Sequence, residues 1–246
     1  MAGLSDVGCR RANNEDCYAY WEPESEEEFQ RKGRLAIVAD GMGGQEGGQE
    51  ASRIAVETIV EIYAKASDGD IRSQLLAAFR TAHQRIQQFA REHPLLQGMG
   101  TTCTAAVLVQ RNLYFAHVGD SRLYLARGAK FSRLTRDDSF VQRLIDHGLA
   151  TPEEAAFHPQ KNVLTAALGT GAEIHPQFPA QPMELEAEDV LLLCTDGLWS
   201  MVNESEIHKI ASVEKTDIAC RELIQLARKR GGPDNITVQV LRFTSL

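Results

Sequence analysis

The sequence predicts an α+β fold in which helices pack in layers against β-sheets. Short apolar runs rich in β-branched residues, each followed by turn residues, indicate strands. These runs cover residues 34–39, 101–109, 113–118, 122–127, 190–194 and 236–243. Two predicted helices follow one another between the first strand and the next group of strands. A strictly alternating βαβ sheet therefore fits the chain poorly.

Three segments repeat apolar residues at helical spacing, which places those residues on one face of each helix. The faces comprise Ala51, Ile54, Ala55, Thr58, Ile59, Ile62 and Tyr63 in the first, Ile71, Leu75, Phe79, Ala82, Ile86 and Phe89 in the second, and Ile218, Leu223, Ile224 and Ala227 in the third. Residues 21–34, with five glutamates within 22–28, are predicted to form a solvated hairpin loop.

Composition and charge exclude several classes of protein. No Pro/Gly/Ser-rich linker divides the 246 residues, so a single domain is expected. A net charge of -8 without a basic stripe argues against nucleic-acid binding. No apolar run reaches the roughly 18 residues of a membrane span, and the first residues lack a signal-peptide core, so a cytoplasmic protein is expected. The five cysteines contain no CxxC pair, which argues against a disulfide framework or structural zinc.

Four aspartates occupy similar turn-like settings: Asp40 in VADG, Asp120 in VGDS, Asp196 in CTDG and Asp234 in GGPDN. Three of them come directly after a predicted strand. Each could simply close a hairpin, because Asp-Gly is a common turn pair. As a converging set they would repel one another unless cations neutralised them. Oxygen ligands favour Mg²⁺ or Mn²⁺ over zinc, and no two histidines have the i, i+4 spacing of helical zinc sites.

The glycines after Asp40 do not form a nucleotide-binding loop. No lysine follows them as in a Walker loop, and a GxGxxG pattern beginning at Gly41 has Glu46 where its third glycine should stand. Glycine does allow the backbone to approach an ion closely. The carbonyl of Gly41 is therefore a candidate cation ligand.

A series of motifs in order resembles the metal-dependent serine/threonine protein phosphatases of the type 2C or PPM family, in their compact bacterial form. The motifs are RANNED (11–16), DGMGG (40–44), MGTT (99–102), VGDSR (118–122), LTRDDS (134–139), LIDHGLATPEEAAFHPQKNVLT (144–165), LLLCTDGLW (191–199) and GGPDNITV (231–238). The resemblance implies a four-layer αββα sandwich, with two central, mostly antiparallel β-sheets flanked by helices. It also implies one catalytic domain over residues 1–246, with a flap subdomain at about 144–162.

The same resemblance implies the roles of individual residues in binding two Mn²⁺ or Mg²⁺ ions and a third, weaker one. Asp40 would bridge two metals, Gly41 would offer its carbonyl to one, and Asp196 and Asp234 would hold the other. Glu15 and Asp16 would act mainly through metal-bound waters, and Asp120 with Asp196 would bind the third metal. Arg11 would clamp the phosphate with planar donors that lysine lacks. Asn235 would either steady the Asp234 loop or serve only as a turn residue.

The implied reaction is hydrolysis of phosphoserine and phosphothreonine in proteins by in-line attack of metal-activated water. In bacteria the family commonly opposes Hanks-type kinases, so a cognate kinase and phosphorylated proteins are the expected partners of a monomer. Because the chain ends just after its last predicted strand, regulation is expected from partners or metal supply. No Cys-x5-Arg or DxDx[TV] motif supports another phosphatase chemistry, since the DxD at 68–70 continues with Ile71 and indicates a surface turn or helix cap.

Two alternative functions remain. A catalytically silent module that binds phosphoproteins is disfavoured, because such a module has no physical need for repelling carboxylates. A two-metal hydrolase of small phosphate esters is not separated from a protein phosphatase by the sequence.

Some positions depart from the family pattern or leave alternatives open. Met42 stands where many eukaryotic relatives have histidine, a candidate general acid, and Gln45 and Asp138 also stand where histidine is common in the family. In the flap, Leu144, Gly148 and His158 are expected on the substrate side. A capped short helix beginning near 151 and a turn at 158–159 are predicted there. The flap could be a mobile lid or a fixed packing element. His147 and His158 are predicted to be surface or capping residues.

Overall fold

The computed structural model describes residues 1–67 and 69–244, and within them the strands form two antiparallel sheets. The first sheet has the order β1-β11-β10-β7-β8, and the second has the order β2-β3-β5-β6-β9, with β4 paired to β3. The strands are β1 (Ala2–Asp6), β2 (Asp16–Trp21), β3 (Arg34–Met42), β4 (Gly100–Thr101), β5 (Cys103–Val109), β6 (Asn112–Val118), β7 (Arg122–Arg127), β8 (Lys130–Arg133), β9 (Met183–Glu184), β10 (Val190–Cys194) and β11 (Ile236–Arg242).

Helices cover both outer faces of the pair of sheets. They are α1 (Glu26–Lys32), α2 (Gln45–Lys65), α3 (Ile71–Glu92), α4 (Phe140–Asp146), α5 (Pro152–Ala156), α6 (Asp196–Trp199), α7 (Glu204–Val213) and α8 (Thr216–Lys229), with a 3-10 turn at Pro94–Leu96. One apolar layer joins α2 and α3 to the second sheet, a second joins α7 and α8 to the first sheet, and a third fills the space between the sheets. The predicted four-layer αββα sandwich is confirmed.

The predicted strands and helices are all present, with one difference that affects the site. The apolar run of the first predicted strand ends at residue 39, but β3 continues to Met42. It does so because β4 pairs with this end of the strand, with Gly41 opposite Thr101. Asp40 therefore stands on a strand that neighbours hold on both sides rather than in a free turn.

The prediction of a solvated hairpin loop at residues 21–34 is wrong in part. The segment does connect the antiparallel strands β2 and β3, but it contains α1. Ser25 caps this helix by accepting a hydrogen bond from Glu28 N, and Gly33 ends it at φ 63°. Its first turn is acidic and its last turn basic, which suits the helix dipole. The glutamates that indicated a solvated loop thus also favour a helix N-terminus.

Other features of the fold bear on the remaining expectations. No helix of the described chain is both long and apolar enough to cross a membrane. All five cysteines are free thiols. Asp70 caps α3 by accepting from Ser73 N, as the helix-cap interpretation of residues 68–70 predicted, while Asp68 lies outside the described residues.

Candidate active site

Asp40 and Asp16 lie side by side at one end of the sandwich. They are direct partners in the antiparallel register of β2 and β3. Asp16 Oδ2 accepts hydrogen bonds from Thr195 Oγ1 at 2.8 Å and from Thr237 Oγ1 at 2.6 Å. Both threonines belong to the other sheet or its continuation, so Asp16 ties the two sheets together at this end.

Asp196 and Asp234 approach the same place from the first sheet. Asp196 is the first residue of α6, separated from the end of β10 by one residue, and Asp234 lies just before β11. Asp234 accepts from Arg11 Nη2 at 2.7 Å through Oδ2 and from the backbone of Asn235 at 2.8 Å through Oδ1. Because β10 and β11 are antiparallel neighbours, the end of one strand and the start of the other bring these carboxylates together.

The side chain of Asn235 joins three segments around this group of carboxylates. Its Oδ1 accepts from Glu15 N at 2.8 Å, while its Nδ2 donates to the carbonyls of Val7 and Asn13 at 3.0 and 2.9 Å. These bonds fix the loop between β1 and β2 against the start of β11. Asn235 thus holds the loop between β1 and β2 in place, whereas a simple turn residue would bond only its near neighbours in sequence.

The carboxylates influence one another strongly. Burial, followed by the charges of Asp16 and Asp196, raises the pKa of Asp40 well above its usual range. Burial raises the pKa of Asp16 to about 7 against the opposing hydrogen bonds of its two threonines. Burial and then the charge of Asp234 raise the pKa of Asp196 to about 6. Ionising all of them together at neutral pH therefore requires positive charge nearby.

Asp120 is the fifth aspartate of this group. It follows β6, is buried, and has its pKa raised well above the usual range by burial and then by the charge of Asp196. Its backbone carbonyl accepts from Trp199 Nε1 at 3.0 Å. Trp199 ends α6, the helix that Asp196 begins, so the two aspartates are connected through one short helix.

Glu15 and Gly41 lie in a closely packed part of the chain. Glu15 is buried, and burial raises the pKa of its carboxyl. A Cβ added at Gly41 would meet the Gly48 carbonyl oxygen at 2.0 Å and the Glu15 carbonyl oxygen at 2.7 Å. Only glycine fits at position 41, which keeps this strand end close to its neighbours.

The group of aspartates fits a hard divalent cation. Among the residues that the structure describes, Asp16 Oδ1 and Asp196 Oδ1 are buried with no hydrogen-bond partner. Buried carboxylate oxygens without donors are costly, and all the candidate ligand atoms are oxygens, as Mg²⁺ and Mn²⁺ prefer. Within residues 1–67 and 69–244, no three His, Cys, Asp or Glu side chains form a ready-made cation cage. Some of the oxygens instead accept hydrogen bonds from Arg11, Thr195 and Thr237.

The flap contains the predicted capped helix, and a helix that the sequence analysis missed, α4, leads into the flap and ends at Asp146. Thr151 and Glu154 form a capping box at the start of α5, and α4 precedes it. His147 bonds the Arg143 carbonyl at the end of α4, as a capping residue would. In the described chain, Leu144, Gly148 and His158 form backbone hydrogen bonds with other residues of the flap. The structure thus does not join these three residues directly to the carboxylates.

Comparison with known proteins identifies the family. A family model described as protein phosphatase 2C matches residues 12–231. The chain belongs to the protein phosphatase 2C family. As a member of it, the chain is 39% identical over 97% of its length to the serine/threonine protein phosphatase PstP of Mycobacterium tuberculosis, but spans only 44% of that relative. It is also 36% identical to the protein phosphatase PhpP of Streptococcus pneumoniae, covering 97% of this chain and 95% of PhpP.

A solved phosphatase 2C structure has the same architecture. The catalytic domain of PstP, in complex with two manganese ions, superposes with a TM-score of 0.85 at 36% identity, covering 99% of this chain and 97% of that one. The αββα arrangement described above is thus the arrangement of a known phosphatase domain.

Sequence reasoning missed several polar partners of this site. It placed Arg11 at the phosphate but not on Asp234, and it gave no role to the threonines that bind Asp16. Thr195 adjoins Asp196 in the CTDG motif, so the sequence alone shows that Thr195 lies close to this candidate ligand. Its partner Asp16 lies 179 positions earlier in the chain, and no local pattern reports such a contact.

Proposed function

We propose that this chain hydrolyses phosphoserine and phosphothreonine in proteins with the help of two Mn²⁺ or Mg²⁺ ions. The observation that carries the proposal is the convergence of Asp16, Asp40, Asp120, Asp196 and Asp234 at one end of the sandwich. Two of them have buried oxygens without a hydrogen-bond partner in the described structure. Family membership and the manganese-bound PstP structure support the same activity.

The carboxylates provide the binding surface for the ions. Asp40, on a strand paired on both sides, is the candidate bridge between them, with the Gly41 carbonyl beside it. Asp196 and Asp234 complete the set, and Glu15 and Asp16 lie one strand away. When bound, two such ions supply a nucleophilic water at neutral pH and neutralise charge on the phosphoryl group. A third, weaker ion is proposed at Asp120 and Asp196.

Arg11 is the candidate phosphate clamp. Its guanidinium is half exposed, so that part of it remains open to a ligand. The hydrogen bond to Asp234 is the largest effect that raises the pKa of Arg11, and it keeps the guanidinium charged. That bond also orients the planar donors, which bind two phosphate oxygens in a fork geometry. Asp234 and Asn235 thus position Arg11 and the loop that carries it.

The wider setting follows from the same proposal. Residues 1–246 form a single catalytic domain with the flap at about 144–162, and the chain acts as a cytoplasmic monomer. Its partners are phosphorylated proteins and a Ser/Thr kinase whose action it opposes. PstP and PhpP are both named as protein phosphatases, which supports phosphoproteins over small esters as substrates.

The proposal is tested by phosphate release from a phosphothreonine peptide with Mn²⁺, with EDTA, and with Asp40→Asn. Release is expected from the wild type with Mn²⁺ and is expected to fall by at least about a hundredfold in the other two cases, because the ion site is lost. Asp217→Asn is the matched control, since this exposed aspartate of α8 forms its ion pair with Arg221 of its own helix.

Two outcomes would redirect the assignment. If the folded, Mn²⁺-loaded protein releases no phosphate yet binds the peptide, the chain is the silent phosphoprotein-binding module. If para-nitrophenyl phosphate is turned over with a much higher kcat/KM than phosphopeptides, the chain is a hydrolase of small phosphate esters.

A further inference from the structure

The flap is attached directly to the turn that carries Asp120. Asp138, just before α4, contacts Gly119 through two hydrogen bonds. Its backbone N donates to the Gly119 carbonyl at 2.6 Å, and its carboxylate Oδ2 accepts from Gly119 N at 3.0 Å. Gly119 is the residue immediately before Asp120, so Asp138 holds both backbone polar groups of the residue that leads into it.

The same residue closes the flap at its other end. The Asp138 carbonyl accepts from Thr165 N at 2.8 Å, and Phe140 N donates to the Val163 carbonyl at 2.8 Å. We call residues 138–140 and 163–165 the flap base. The chain enters and leaves the flap through this base, and Asp138 bonds both Thr165 and the Asp120 turn, residues 119–121.

Gln177 orients the Asp138 carboxylate. Its Nε2 donates to Asp138 Oδ1 at 3.1 Å and also to the Arg136 carbonyl. The backbone of Gln177 in turn exchanges two hydrogen bonds with His117, at 2.8 and 3.0 Å, next to the end of β6. With Oδ1 held by Gln177, Oδ2 is directed at Gly119.

The Asp120 turn has little freedom to adapt if this support is removed. Gly119 has φ +106°, and a Cβ there would lie 2.6 Å from Thr102 Cβ. The turn therefore packs tightly against Thr102, the residue just before β5. On the opposite side Trp199 holds the Asp120 carbonyl. His117 Nε2 also contacts the Gly119 carbonyl at 3.0 Å, so the group of this turn that depends on the Asp138 carboxylate is the Gly119 N–H.

We propose that Asp138 is a positioning residue that makes the flap base and the Asp120 turn one mechanical unit. This inference rests on the proposed function, in which Asp120 binds a divalent cation. In this proposal Asp138 is a ligand of neither the cation nor the substrate and acts through Gly119. Because coupling between two sites is reciprocal, order in the flap strengthens cation binding at Asp120, and the cation strengthens order in the flap by the same factor.

The first readout is exchange of the Gly119 amide, measured by NMR on the metal-free protein. In Asp138→Ala this amide loses a charged acceptor, and its exchange is expected to become about tenfold faster. In Asp138→Asn the remaining carbonyl oxygen can still accept from Gly119, so most of the protection is expected to return. Gln177→Ala is expected to give an intermediate increase, because the carboxylate stays but is no longer oriented.

The second readout is Mn²⁺ quenching of Trp199 fluorescence. The chain has two tryptophans, so a Trp21→Phe background leaves Trp199 alone as the reporter. Asp138→Ala is expected to raise the Mn²⁺ concentration at half-quenching about fivefold, whereas Asp138→Asn changes it by less than about twofold. Asp70→Ala is the control: this aspartate also accepts a backbone N–H, from Ser73, but at the start of α3.

The outcomes separate this inference from the proposed function. Unchanged Gly119 exchange in Asp138→Ala, or an equal change in Asp70→Ala, overturns the inference, because the link is then absent or reflects only global stability. If Asp138→Ala does not fold, Asp138→Asn and Gln177→Ala decide in the same way. Failure of the proposed function appears separately, as no phosphate release from the wild type with Mn²⁺, and leaves the exchange measurement valid.

Discussion

Replacing Asp196 by asparagine is expected to stabilise the metal-free protein while destroying its activity. Asp196 is one of several aspartates gathered at the end of the sandwich, and its Oδ1 is buried without a partner in the described chain. Asparagine has nearly the same shape but carries no charge. Its amide can donate a hydrogen bond towards Asp40, a hydrogen-bonding neighbour of Asp196. The substitution therefore removes a repulsion that, in the proposed function, a bound cation would neutralise.

The size of the effect follows from the pKa of Asp196, which burial and then the charge of Asp234 raise from 3.8 to about 6. A carboxyl whose pKa is higher in the folded state stabilises that state fully below pH 3.8, and this contribution is lost as the pH rises through 6. At about 1.4 kcal/mol for each pH unit between the two values, the ionised group costs about 3 kcal/mol at pH 8. At pH 5 only about half of that cost remains.

The assay is urea unfolding of the wild type and Asp196→Asn at pH 8 and pH 5, with EDTA and with Mn²⁺. In EDTA the variant is expected to be more stable by about 2 to 3 kcal/mol at pH 8 and by about half as much at pH 5. In saturating Mn²⁺ the order is expected to reverse, because ligand binding stabilises only the protein that can hold the ion.

An unambiguous result would refute this reasoning. If Asp196→Asn is no more stable than the wild type at pH 8 in EDTA, the carboxylates do not repel one another as described. If the variant gains stability from Mn²⁺ as strongly as the wild type does, Asp196 is not a ligand.

Three further predictions follow from individual contacts. Arg11→Lys keeps the charge but loses the planar donors, so kcat/KM for a phosphopeptide is expected to fall about 10- to 100-fold in steady-state assays, with Mn²⁺ affinity by calorimetry little changed. Gly41→Ala places a Cβ 2.0 Å from the Gly48 carbonyl oxygen and is expected to lower the free energy of unfolding in urea by about 3 kcal/mol; an unchanged value would contradict the packing described. Asp137→Ala leaves the buried Arg122 guanidinium without its bidentate partner and is expected to cost about 3 to 5 kcal/mol in the same assay; an unchanged free energy of unfolding would contradict the buried ion pair.

Local patterns in the sequence predicted most of the secondary structure, because helices and strands depend largely on the spacing of apolar residues and on the residues that form turns. The strand at 122–127 and the strand at 190–194 match the structure at both ends, where apolar runs meet turn residues. The miss at residues 21–34 has a different cause. Five glutamates indicate solvent exposure, but the sequence does not show that Lys32 is buried with its Nζ on the Ala64 carbonyl, at the end of α2. That contact is tertiary.

The candidate site was predictable in its members but not in its connections. Asp40, Asp196 and Asp234 could be singled out because each lies beside a predicted strand, where packing holds the backbone rigid. Nothing in the spacing of Asp138 revealed that it bonds Gly119, nineteen positions earlier, or that Gln177 orients it. The resemblance to the family identified Asp138 only as a position at which many relatives have histidine.

The sequence by itself determined the period of each element, the absence of a cysteine nucleophile motif, and the oxygen-rich set of candidate ligands, because these depend on residue type and near neighbours. Only the tertiary structure decided that Asp16 reaches Thr195 and Thr237 across the sheets, that Arg11 rests on Asp234, and that the flap base holds the Asp120 turn. The physical reason is that sheet order and register bring distant residues together. The strength of their electrostatic coupling then depends on distance and burial, which no local pattern contains.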